Sequence, residues 1–133
     1  MNQGIQWSNA LSTHPSLEAA LSEVIDRAGQ DLQGDPDLGL LFVSSAFASE
    51  YSRVMPLLRQ KIEIPYLLGC GGGGIIGRDA LGGVQEVEEA AAVSLSLARL
   101  PGVTIEPFWV QGGGLPDPDR SPPAWMDCLG LAA

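Results

Sequence analysis

Between Gly69 and Gly83 the chain places eight glycines in fifteen residues, directly behind the apolar segment Ile64-Pro65-Tyr66-Leu67-Leu68. No other feature limits the possible folds so tightly. Glycine is a poor helix former and reaches backbone conformations closed to other residues. The stretch therefore reads as a turn at the C-terminal end of a buried strand. Open α/β sheets bind ligands at such strand ends, and consecutive glycine amides pointing into one concavity bind an anion or carboxylate. The competing reading is a glycine turn that holds no ligand.

Literal motif matches do not decide between these readings. G-x-G-x-x-G occurs at Gly69/Gly71/Gly74 and at Gly72/Gly74/Gly77, but a run of glycines produces such matches by itself. A dinucleotide fingerprint also needs an uninterrupted helix and an acidic residue about 20 positions on. Here Gly82 and Gly83 break any helix, and the chain reads Ser-Leu-Ala around position 97. A P-loop is excluded because Arg78-Asp79 follow Gly77 in place of Lys and Ser/Thr.

The flanking segments predict a mixed α/β fold. Leu17, Ala20, Leu21, Val24, Ile25 and Ala28 mark one buried helix face. Polar residues and Pro15 precede it as start signals, and Gly29 and Gly34-Asp35-Pro36-Asp37 follow as stop signals. The apolar run Leu38–Ser44 reads as a central strand covered on both faces. A helix with Tyr51, Val54, Met55, Leu58 and Ile62 on one stripe comes next, kinked or split at Pro56. The order predicts a layered sheet, largely parallel at its centre with a mixed or antiparallel edge, and helices packed on it. Residues 86–98 read as one strand, and Val103–Val110 alternates as an edge strand interrupted by Pro107. A domain over residues 1–111 is expected, then a Gly/Pro-rich loop at 112–123 and the start of a truncated continuation at 124–133.

Composition removes whole function classes. Sixteen acids face seven bases in 133 residues, a net charge of −9. That balance opposes nucleic acid and anionic membrane surfaces, which select clustered Lys and Arg. The two cysteines, Cys70 and Cys128, do not make a disulfide framework. With a single histidine they also fall short of a structural zinc site, so no metal and no cofactor is expected. An N-terminus without a basic, apolar leader, and no run long enough to span a bilayer, point to a cytoplasmic location.

Candidate site residues collect at the predicted sheet edge. Cys70 sits where turn amides would stabilise a thiolate nucleophile, or it is a small buried apolar residue. Ser44 and Ser45 end the neighbouring strand and either line a polar pocket or cap the following helix. Glu86, Glu88 and Glu89 offer a cation or acid/base site, or a solvated edge. His14 fits a capping role at a helix start better than a catalytic dyad.

Three segments together resemble the N-terminal FIST domain. They are the strand Leu38-Gly39-Leu40-Leu41-Phe42-Val43-Ser44-Ser45, the turn Leu68-Gly69-Cys70-Gly71-Gly72-Gly73-Gly74-Ile75-Ile76-Gly77, and Glu86-Val87-Glu88-Glu89 leading into Ala90–Leu95. Trp7–Ser12, Pro101-Gly102-Val103 and Phe108 fit as well, so the likeness spans residues 7–111. Gly71 departs from the pattern, which often has Ser there and so one more hydroxyl.

The resemblance implies a sensory module of signal transduction proteins that binds a small ligand, an amino acid or other small carboxylate, without catalysis. It also implies a companion C-terminal FIST domain or other signalling partner. The positions carried over are Gly69, Cys70, Gly74, Gly77, Glu86 and Glu88. The amides of Gly71, Gly72, Gly73 and Gly74, with Ser44 and Ser45 nearby, would hold the ligand. The family's domain normally continues past residue 133, so a shortened chain with an open sheet edge and self-association is expected. Two alternatives stand beside this reading: a thiol-dependent enzyme using Cys70, and an interaction fragment completed by a partner chain.

Overall fold

The computed structural model describes residues 4–131. Met1-Asn2-Gln3 and Ala132-Ala133, the outer ends of the expected domain and continuation, lie outside them. The chain divides into two units, Met1–Gly102 and Val103–Ala133.

In the first unit the predicted helix stripe becomes α1 (Leu17–Gln30), and all six stripe residues are buried. Ser16 caps it by accepting the Ala19 N–H at 3.3 Å, with Glu18 at the positive and Arg27 at the negative end of the helix dipole. A 3-10 turn at Ser45–Glu50 leads into α2 (Tyr51–Arg59). Pro56 lies inside α2 at an exposed position and does not end it.

Four strands form the main sheet: β1 (Gln6–Ser12), β2 (Leu38–Ser44), β3 (Tyr66–Gly72) and β6 (Val93–Arg99), in the order β1-β6-β2-β3. The mixed α/β class is the one the element order predicts. Parallel pairing is confined to β2 and β3, with Leu38 opposite Tyr66 and Ser44 opposite Gly72. β6 inserts antiparallel between β1 and β2. The centre is therefore antiparallel, because the last strand of the unit, not an early one, fills it.

Leu41 and Val43 share one core with α1, α2, Leu95 and Leu97, so both helices cover the same face. The expected double coverage of β2 is not found. Phe42 on the opposite face is 39% exposed, and Leu38 and Leu40 are half-buried. Within this unit that face receives the hairpin of β4 (Gly74–Arg78) and β5 (Val84–Glu88), which seats Ile75 against Leu11 and Ala92. A polar clip fixes the hairpin: the Asn9 amide donates to Ser94 Oγ at 3.1 Å and Ser96 Oγ at 2.9 Å and accepts the Arg78 N–H at 2.7 Å.

Residues 86–98 are two strands and not the expected one. The chain reverses after β5 through Glu89, which sits in the left-handed region at φ 54°. The alternation across 86–98 thus comes from two strands that belong to different sheets.

The second unit, taken by itself, holds a 3-10 turn at Gly112–Gly114 and α3 (Pro122–Cys128). Pro122 occupies the first helical position, where a missing N–H costs nothing. Val103–Val110 forms no strand, contrary to its alternation. A strand takes its hydrogen bonds from a neighbour, and among the described residues none pairs with this segment. None of the unit's described residues is buried.

Candidate functional site

The glycine run is mostly extended. Gly69 to Gly72 complete β3 in register with Leu41 to Ser44, Gly73 makes the corner, and Gly74 opens β4. The expected concavity of amides is absent. It needs positive φ, and the described glycines with positive φ are Gly34, Gly82, Gly102 and Gly130. Space explains the glycines better than turn geometry. A methyl group on Gly69 would overlap the Leu41 carbonyl oxygen and lie 2.9 Å from its carbon. On Gly71 it would overlap the Tyr51 hydroxyl, and on Gly77 it would lie 2.8 Å from Leu11 Cβ and 2.9 Å from Ser94 Oγ.

Close approach of Tyr51 to Gly71 leaves a groove beside it. It encloses about 390 Å³ between α2 and β3, lined by Tyr51, Val54 and Met55 on one side, Leu67 to Gly71 on the other, and Leu41 and Val43 beneath. It lies along the parallel pair β2 and β3, between a helix and a sheet, a concave apolar setting of the kind that small-molecule sites use. The Tyr51 hydroxyl donates to the Val43 carbonyl at 3.3 Å, which aims its ring. Among the described residues no charged side chain lines the groove.

The predicted site residues separate into three places. Gly69, Cys70 and Gly71 line the groove, and Cys70 is an exposed free thiol. Gly72, Gly73 and Gly74 form the corner, where Glu86 and Glu88 stand exposed on the strand opposite, Glu88 in register with Gly74. Gly77 and Ser44 are interior. The Ser44 hydroxyl is 2% exposed, donates to the Ala90 carbonyl at 2.6 Å and accepts the Ala46 N–H at 3.1 Å. It joins the end of β2 to the β5–β6 connection, while Ser45 is exposed in the 3-10 turn. Replacing Ser44 with Ala should cost about 1–2 kcal/mol, since it strips a cap and breaks the part-buried hydrogen bond to the Ala90 carbonyl. Urea unfolding measures it; an unchanged midpoint would show that these bonds contribute nothing.

His14 lies away from Cys70, in a separate pocket with Glu23, Arg27, Asp79 and Gln85. Its Nδ1 accepts the Ser16 N–H at 3.0 Å, the capping role that its position before α1 predicts. Arg27 there donates to the Leu11 carbonyl at 2.8 Å and the Arg78 carbonyl at 2.7 Å, tying α1 to β1 and the hairpin.

Tyr51, Val54 and Met55 were not singled out as site residues by the sequence, where their helical spacing reads as core. Only Val54 is buried, and the partial exposure of Tyr51 and Met55 opens the groove.

A family model, the FIST N domain, matches residues 37–109. No curated protein and no solved structure matches the chain. The matched stretch runs from β2 through β6, and so contains both walls of the groove and the whole glycine run.

Proposed function

The chain belongs to the FIST N domain family of signal-transduction sensory domains, and from that premise we propose that it senses a small molecule held in the groove between α2 and β3. The observation that carries this reading is the groove itself. Its volume lies within the roughly 300–1,000 Å³ of small-molecule sites, and its walls are apolar with a few polar groups. Val54, Met55 and Leu67 would cover an apolar body. The Tyr51 hydroxyl and the backbone along the free side of β3 would hold a polar end, while Cys70, in register with Phe42, turns its thiol to the other face.

Without a cation in the lining, a bare inorganic anion gains little here. An apolar amino acid, or a small carboxylate with an apolar tail, fits best, its carboxylate accepting from strand N–H groups. Recognition proceeds without covalent chemistry and without a cofactor. Two free cysteines fit a reducing cytoplasm, and a C-terminal FIST domain or other signalling partner would receive the signal. No helix among the described residues is long and apolar enough to cross a membrane.

A thermal-shift panel of amino acids and short carboxylates tests the reading. A ligand at 100 times its dissociation constant should add about 2.7 kcal/mol of stability. Met55→Glu, at a half-exposed position on the groove wall, should weaken that ligand about tenfold or more by placing a charge against its apolar part. Its unliganded midpoint should stay close to that of the unaltered protein. A folded protein that shifts with no member of the panel would sink the proposal.

A further inference from the structure

Among the described residues no strand neighbours the far side of β3, which ends the sheet order β1-β6-β2-β3. Tyr66–Gly72 carries no charged residue and no proline, so it lacks the usual devices that keep an edge from pairing. Along that edge, alternate N–H and C=O groups find no partner among the described residues, and the apolar groove runs beside it. An added strand would satisfy the first and fill the second.

The chain itself contains a segment with the matching chemistry. Val103-Thr104-Ile105-Glu106-Pro107-Phe108-Trp109-Val110 alternates in polarity, yet forms no strand, with Phe108 57% and Trp109 85% exposed. Its single charge, Glu106, complements Arg59, which is exposed on α2 and has no ion-pair partner among the described residues. Pro107 lacks an N–H, which an outermost strand tolerates.

We infer that Val103–Val110 of a second copy adds as a strand to the free edge of β3, and that the exchange is reciprocal, giving a twofold dimer. The same chain cannot easily supply the segment. The Leu100 N–H is held by the Asp37 carboxylate at 2.6 Å, and Pro101-Gly102 forms a turn with Gly102 at φ 77°. Leu100 to Gly102 thereby leave the sheet at the ends of β6 and β2, with β3 between them and the free edge. A second copy has no such tether. Each pairing buries one apolar row of the segment in the groove, and the two pairings are identical by symmetry. The inference goes beyond the ligand reading and stands without it, although both use the groove.

Light scattering on the full chain, without added ligand, tests it from low to high micromolar concentration. The expected mass rises from 13.9 kDa toward twice that value. The double variant Ile105→Asp/Trp109→Ser changes only residues outside the buried core, and Leu68→Lys puts a charge on a 62% exposed edge residue. Each should raise the dimer dissociation constant about tenfold or more while circular dichroism stays unchanged. A monomer across the whole range overturns the inference. So does a dimer that the Ile105→Asp/Trp109→Ser change leaves undiminished, since pairing of two β3 edges alone would behave that way.

Discussion

Replacing Gly69 with Ala should destabilise the protein by about 3 kcal/mol or more, whereas Gly73→Ala, four residues on, should lie within about 0.5 kcal/mol of neutral. Both substitutions add one methyl group to the same glycine run. At Gly69 that group would overlap the Leu41 carbonyl oxygen of β2, and at Gly73 nothing lies within 4 Å. A flexible side chain could swing away, but the obstacle at Gly69 is backbone. β2 is itself held in register on its other side by β6. The available relief is for β3 to pull away, which breaks the one parallel ladder and the wall of the groove. Urea denaturation of the two variants measures the contrast directly. Equal midpoints would mean that the two strands do not approach each other so closely.

Truncating Leu95 should produce the other large effect. Leu95 lies at 0% exposure on β6, opposite Ala10 of β1 and Leu41 of β2, inside the shared core. Leu95→Ala removes buried methyl groups and leaves a cavity that α1 and two neighbouring strands cannot collapse into. The expected cost is about 3–4 kcal/mol, a large part of the roughly 5–15 kcal/mol that holds a domain folded. The thermal midpoint should fall on the order of 10–20 °C. Leu81→Ala is the matched control, because Leu81 is 97% exposed in the β4–β5 turn. Its midpoint should not move. A similar loss in both variants would mean that β6 is not the centre of the core.

The helix α1 was readable because its signal is local. Six apolar residues at helical spacing define one face whatever packs on it, and Ser16 supplies its own cap bond. The strand β2 was readable as a strand, but not as one covered on a single face. Continuous hydrophobicity across Leu38–Val43 tells that both faces are apolar, not that both are covered. Phe42, Leu40 and Leu38 show the difference, since both helices lie on the side of Leu41 and Val43.

The groove was half legible. Cys70 and the adjoining glycines were found because a glycine run after an apolar segment marks a strand end. Tyr51 and Met55 were hidden, because an apolar stripe on a helix looks the same whether it is packed or open. Ser44 drew notice for a hydroxyl that the structure uses up on Ala90 and Ala46. A hydroxyl's availability depends on distant partners, and Ala90 lies 46 residues away.

The amino-acid sequence by itself determined the α/β class, the family, α1, and the location of the chain's most unusual stretch. Those follow from periodicity, composition and motif, which each residue carries with its near neighbours. The tertiary structure alone decided that β6 lies between β1 and β2, that Gly69, Gly71 and Gly77 are small for want of room, and that Val103–Val110 goes unpaired. Pairing, crowding and exposure are relations between segments far apart in the chain. A sequence pattern prepares a segment for such a relation, and only a second surface completes it.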